Sequence, residues 1–331
     1  MASLDGLRAV AVVLVLLFHS TESHPLRGGF LGVDVFFVLS GYLITSQLLR
    51  EDTRFEAFIL RRLARLWPAL AVVLLMVVLV TSVGGGPPLA IVYSLLYFLN
   101  IAFAYRIDGG DANLVSHTWS LAIEAQFYLL WALFLTKFRL KSAGDSQLLT
   151  VTMLIATGSW LTRLFYSAGI HEPSRAYFAT EARLDALFVG AAVAVVAGSH
   201  PLWLRRAAAP GLGLTLIAVA AVTFSFASVP SFALGIPLAV AGTVLVLTGA
   251  IGGRPTRTLR ALSSRPFVWL GLRSYSLYLW HFPVFALLLN HTSLRGVTLV
   301  VIEWVAAVFL AAASYALVET PARRVLYARI S

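Results

Sequence analysis

The sequence of 331 residues is 59% hydrophobic and only 12% charged, against about 25% charged in an ordinary soluble domain, which excludes a water-soluble globular fold and points to a bilayer. The formal charge of +10 therefore bears first on which side of a membrane each loop occupies, and only then on partners such as nucleic acid. Cysteine is absent, which excludes disulfides, thiolate metal sites and an acyl-enzyme on a thiol.

In chain order, apolar segments fall near residues 5–22, 29–49, 66–83, 88–106, 117–136, 147–168, 182–198, 210–228, 231–251, 268–290 and 296–318. Each approaches the roughly 20 residues that a helix needs to cross hydrocarbon. The first has an apolar stretch from Ala9 to Phe18, followed by His19 and Glu22 without a small-residue cleavage site, so it predicts a retained helix and no signal peptide. Charge decides between ten and eleven crossings. If 88–106 crosses, the basic loops 50–65 and 137–141 lie on opposite sides, against the preference for cytoplasmic Lys and Arg. If it does not, loops 50–65, 137–141, 205–206, 254–273 and 323–329 place eighteen of the 25 basic residues on one face. The expected architecture is an all-α polytopic membrane protein of about ten transmembrane helices, both termini cytoplasmic, with 88–106 a re-entrant or peripheral piece. No inverted repeat or polar linker divides it, so residues 1–331 are read as a single membrane-embedded domain with no additional soluble domain.

Ionisable residues inside such spans are costly, and each is a functional candidate. Arg8 and His19 are eleven residues apart, three helical turns plus about 20°, so they share a face roughly 16 Å apart along the axis. A cation for phosphate and a base for an acceptor suit that stripe, as does simple interhelical glue. In GGFLGVDVFFVLSGYLI, residues 28–44, glycines allow close helix approach. Asp34, at a depth similar to His19, either orients that imidazole or bonds a neighbouring backbone. Arg61, Arg62 and Arg65 open the third helix, where guanidinium forks match phosphate oxygens and positive-inside anchoring explains them equally. His117, Ser120, Glu124 and Tyr128 form one polar stripe at i, i+3, i+7 and i+11. For Glu124 a proton relay, a hydroxyl clamp and an ion pair with Arg183 are all open. Near the end, SYSLYLWHFPV at 274–284 adds Tyr278, Trp280 and His281, either a sugar-lining group or an interfacial aromatic belt. Gly144–Asp145–Ser146 spells the start of a serine-esterase block, but it lacks the companion blocks and is read as chance.

Taken together, these blocks resemble acyltransferase family 3, the integral-membrane O-acyltransferases of bacterial surface polysaccharides, lipid-linked sugars and antibiotic glycosides. LDGLRAVAVVLVLLFHS at 4–20, GVDVFFVLSGYLI, RRLARLWP, HTWSLAIEAQFYLLW, RLDALFVG at 183–190, SYSLYLWHFPV and LVETPARR at 317–324 occur in the family's order over nearly the whole chain. The resemblance implies cytosolic acyl-CoA as co-substrate, no tightly bound cofactor or metal, a carbohydrate-type acceptor and a bacterial cytoplasmic membrane. It makes Arg8 and His19 the essential pair and Arg62 and Arg65 the basic motif, and it adds Arg183 and Asp185 as supporting residues. With no thiol and no recognisable Ser–His–Asp block, direct attack by the acceptor hydroxyl with His19 as base is the simpler scheme. A transporter or flippase for a glycan or lipid-linked precursor is the alternative, distinguished by an inverted repeat and broken midplane helices that the sequence does not clearly show.

Overall fold

The computed structural model describes residues 1–331 apart from 21–25, 51–53, 82–88, 108–113, 138–143, 200–207, 254 and 331, and apart from the side chains of 50 and 326–330. The expected basic-loop residues Arg139, Lys141, Arg205, Arg206 and Arg254 lie outside the described residues. All regular structure within them is helical: α1 (Ala2–His19), α2 (Gly32–Arg50), α3 (Phe55–Thr81), short α4 (Leu89–Leu95) and α5 (Leu99–Ala104), α6 (Trp119–Thr136), α7 (Asp145–Leu164), short α8 (Pro173–Phe178), α9 (Leu184–Ser199), α10 (Pro210–Thr223), α11 (Ile236–Gly252), short α12 (Arg257–Leu262) and α13 (Arg265–Leu272), α14 (Ser274–His291), α15 (Gly296–Ser314) and α16 (Thr320–Ile330). Setting α16 aside, the long helices correspond one for one to the ten predicted spans, and seven helical segments meet the length and apolarity needed to cross a membrane. The 268–290 segment is divided at Arg273, whose guanidinium stacks 4.1 Å from the Trp269 ring and donates to the Trp269 carbonyl.

The 88–106 segment does not form a span. Tyr97 adopts a left-handed backbone, φ 55°, which a right-handed helix cannot contain, so the apolar run breaks into α4 and α5. At 7 and 6 residues each is only about 10 Å long, a third of the hydrocarbon thickness. Asn100 tucks the break against protein: its side chain donates to Phe178 O at 3.1 Å and to Thr180 Oγ1, and accepts from Gln126 at 2.9 Å. Lys137, just past α6, pairs with Glu56 at the start of α3 at 2.7 Å. Helix α3 therefore leaves the face to which α6 returns, and everything between them begins and ends on the opposite face.

Helix α1 is central, packed against α2, α12, α13 and α14, with Leu7, Ala11, Val12, Val15 and Leu16 fully buried. Helices α2 and α9 touch backbone to backbone: a Cβ on Gly41 would lie 1.9 Å from Leu187 O, and one on Gly190 would lie 2.1 Å from Val38 O. Lipid supplies no hydrophobic drive between helices, so such close approach is what lets dispersion hold this pair. Gly41→Val is expected to lower the thermal midpoint in detergent by separating α2 from α9, an overpacking cost of about 1–3 kcal/mol or more. An unchanged melting curve would show that this contact yields easily.

Candidate active site

Five helices converge on a cavity of about 770 Å³, its open mouth included. Arg8 comes from α1, Ser40 with Val33, Phe36, Leu39, Leu43 and Ile44 from α2, and Arg62, Arg65 and Leu66 from α3. Helix α6 contributes Ser120, Glu124 and Tyr128, and α14 Ser274, Tyr275 and Tyr278. The stripe expected at three-, four- and four-residue steps on α6 thus presents Ser120, Glu124 and Tyr128 to one space. Ser40 Oγ donates to Glu124 Oε1, Arg62 donates to Gln47 at 2.7 Å, and the Arg62 guanidinium lies 5.6 Å from the Tyr128 ring centre. Arg8 is repelled by Arg65 and attracted by Asp5 and Glu124.

A second cavity of about 440 Å³, its open mouth again included, shares Arg8, Arg65 and Tyr275 with the first and adds Leu272, Tyr315, Glu319, Thr320 and Arg323. The two form one arginine-rich end, on the side of the bundle where α1 starts and where α16 packs against α3. Arg61 is not among the lining residues of either, so of the three arginines that open α3 only Arg62 and Arg65 face the space. Around the helix Arg62 and Arg65 are about 60° apart, and Arg61 lies about 40° beyond Arg65 on the side away from Arg62.

Beyond the cavity's inner wall lies a group of three histidines, His19 at the end of α1, His117 in the turn just before α6 and His281 in α14. Tyr278 separates the two regions. Its hydroxyl is 2.7 Å from Ser120 Oγ and donates to His117 O at 2.7 Å, and its ring lies 5.4 Å from that of His117 and 5.5 Å from that of His281. His281 is completely buried, His117 nearly so, and His19 half-buried. The His19 and His281 rings are 5.1 Å apart, with His19 Nδ1 at 3.3 Å from His281 Nε2. Neither ring nitrogen of His117 makes a hydrogen bond of ordinary geometry to a described residue, although the Leu279 backbone stands within its electrostatic reach. Trp280 is buried and lines neither cavity, which departs from both the sugar-lining and the interfacial-belt expectations.

Two expectations are corrected by the contacts. Asp34 does not orient His19: it is completely buried and accepts from Arg183 Nη2 at 2.8 Å. Arg183 in turn lies over the rings of Phe37, Trp119 and Tyr177 at 5.1–5.8 Å, so it is committed to Asp34 and cannot be the partner of Glu124. Asp185 sits in a second buried pair, bidentate with Arg163 at 2.7 and 2.8 Å. A guanidinium inside a bundle needs its carboxylate close, and these pairs hold α2 to the start of α9 and α7 to α9. Arg163, Ser40, Ser274, Tyr275 and Arg323 are among the polar residues of these networks that sequence reasoning passed over, as are Gln47, Tyr315, Glu319 and Thr320. Ser40, Ser274, Tyr275 and Arg323 stand within quoted motifs, and Arg163 is a lone arginine in an apolar run.

A family model described as an acyltransferase domain matches residues 1–318, a range that includes every residue lining the larger cavity and all three histidines. The chain is 32% identical over 350 residues to the peptidoglycan O-acetyltransferase OatA of Listeria monocytogenes, covering 97% of this chain and 56% of that protein. It is 33% identical over 352 residues to the O-acetyltransferase OatA of Staphylococcus aureus, covering 97% of this chain and 57% of that protein. The chain thus spans little more than half the length of the curated relatives it matches. No solved structure matches it. With the family's motifs placed in order on a helical bundle and the family model running through nearly all of it, this chain belongs to acyltransferase family 3.

Proposed function

We propose that the chain is a membrane O-acyltransferase that moves an acetyl or similar acyl group from cytosolic acyl-CoA to a hydroxyl of a carbohydrate-type acceptor, peptidoglycan being the acceptor named for the Listeria relative. The observation that carries this reading is the polarity of the large cavity. Arg8, Arg62 and Arg65 line it together, apolar side chains of α2 and the Ser40–Glu124 pair share the same space, and Ser120 and Tyr278 line it beside the histidines. Phosphate groups bind where guanidinium forks converge, and an uncharged acyl-pantetheine arm suits an apolar passage. The positive-inside preference puts the arginine end, and with it both termini, in the cytoplasm.

In the reaction the acceptor hydroxyl gives its proton to His19 as its oxygen bonds to the thioester carbonyl carbon. The C–S bond then breaks, and the departing sulfur takes the proton back from His19, leaving an ester and free CoA thiol. Purified protein in lipid vesicles, supplied with acetyl-CoA carrying a labelled acetyl group and with glycan fragments, is expected to yield an alkali-labile labelled ester on the glycan. Label that stays on CoA, or reaches only water, would overturn the reading. In the same assay Arg62→Gln with Arg65→Gln is expected to raise the donor KM by about 10²- to 10⁴-fold, since two charge-assisted hydrogen bonds are removed, each worth about 1.5–3 kcal/mol, with kcat little changed. Unchanged donor kinetics would reduce both residues to topology anchors.

A further inference from the structure

We infer that His281 is a positioning residue that fixes the tautomer of His19, so that the lone pair of the neutral His19 ring is carried on Nε2; the functional consequence rests on the reading of His19 as the base. Three contacts fix the assignment. His281 Nδ1 lies 2.7 Å from Tyr278 O. A carbonyl oxygen only accepts, so Nδ1 carries the proton and neutral His281 has its lone pair on Nε2. His19 Nδ1 lies 2.9 Å from Val15 O, again a pure acceptor, so this nitrogen carries the proton of neutral His19. The 3.3 Å contact between His19 Nδ1 and His281 Nε2 is then a shared hydrogen bond in which His19 donates to His281. All three contacts are mutually consistent, and the opposite tautomer of His19 would turn a lone pair toward two acceptors at once.

The chemistry follows from the assignment. A base needs an unprotonated nitrogen aimed at the acceptor, and in a ring the nitrogen that is bare is chosen by what the other one bonds. A carboxylate usually makes that choice for a catalytic imidazole, and Asp34, the carboxylate that the sequence offered for it, is held by Arg183. Among the described residues, a neutral imidazole and a helix carbonyl bond the Nδ1 of His19. When His19 becomes an imidazolium, its Nδ1–H still faces the His281 lone pair. The complete burial of His281, its helix back-bond to Tyr278 and its edge contact with Phe285 at 5.8 Å hold the ring in that orientation. His117, at 5.4 Å from His281, is the other histidine packed on the pair.

Substitutions that imitate one nitrogen at a time separate positioning from packing. In His281→Gln the side-chain oxygen reaches the place of Nε2 and accepts from His19. In His281→Asn the amide stays near the place of Nδ1, bonding Tyr278 O, and leaves His19 without its acceptor. Nitrogen NMR of isotopically labelled histidine in the full-length chain, with the His19 signals identified by their loss in His19→Gln, reads the tautomer directly and does not depend on activity. Wild type is expected to show a protonated Nδ1 and a bare Nε2 on His19. His281→Gln is expected to keep that pattern and most of kcat. His281→Asn and His281→Phe are expected to admit the other tautomer and to lose about 10- to 100-fold in kcat, the range for partners that orient a functional imidazole, with donor KM unchanged. A wild-type His19 protonated on Nε2 when neutral overturns the inference whatever the variants do, and so does equal behaviour of the Gln and Asn variants in tautomer and kcat. If His19 itself proves dispensable for transfer while its tautomer is as assigned, it is the reading of His19 as the base that fails.

Discussion

His19→Gln and His19→Ala are expected to lower acyl transfer by about 10²- to 10⁴-fold, the usual contribution of a positioned general base, while folded protein and acyl-CoA binding stay at wild-type levels. An alcohol is a weak nucleophile near neutral pH, and a chain without cysteine has no thiol on which to store the acyl group. His19 stands at the end of α1, three turns beyond Arg8, and it is the most accessible of the three clustered histidines. Its half-buried position makes replacement more tolerable for packing than at the two buried histidines, and Gln can still reach His281. The measurement is ester formation per folded molecule at saturating donor, alongside direct binding of the donor. Activity within a few-fold of wild type would reject His19 as the base, and loss of donor binding together with activity would make it part of the donor site instead.

The second large effect concerns stability. Asp34→Ala is expected to cost about 3–5 kcal/mol, enough to abolish most folded protein, because it leaves a buried guanidinium without its counter-charge. Asp34 Oδ1 is the hydrogen-bond acceptor for Arg183, whose Nε and Nη1 have no hydrogen-bond partner among the described residues. The three aromatic faces around Arg183 are there with or without Asp34, so their attraction does not replace the lost counter-charge. Replacing both members, Asp34→Leu with Arg183→Met, should restore much of the folded yield, since an apolar pair of similar volume avoids the desolvation cost. Size-exclusion profiles and thermal midpoints in detergent report the outcome. A wild-type midpoint for Asp34→Ala combined with loss of transfer would return Asp34 to the catalytic machinery.

The adjacency of the two cavities has a consequence for the donor. Arg323, in the terminal LVETPARR block, and Arg65, in the third helix, line one space although 258 positions separate them. The arginine cluster is therefore assembled by packing of α16 on α3, which concentrates positive charge at one end of the bundle.

What the sequence determined by itself was everything that depends on local periodicity and on the solvent. Apolar length set the helices, loop charge set which of them cross, and the exclusion of 88–106 from the crossing set agrees with its division at Tyr97 and with the Lys137–Glu56 pair. The same periodicity put Ser120, Glu124 and Tyr128 on one face, and they line one cavity. A helical repeat reports the face and depth of a residue, however, and is silent about the neighbour that it meets. Ten helices of similar apolarity admit many arrangements, and depth alone made Asp34 a fair partner for His19 and Arg183 one for Glu124. Only the tertiary structure decided otherwise. Close contact at Gly41 and Gly190 brings α2 onto α9 and so gives Asp34 to Arg183, while the packing of α14 against α1 brings His281 to His19 across 262 residues of sequence. Partners in a bundle are chosen by which backbones can approach, a property of pairs of helices that no single segment carries.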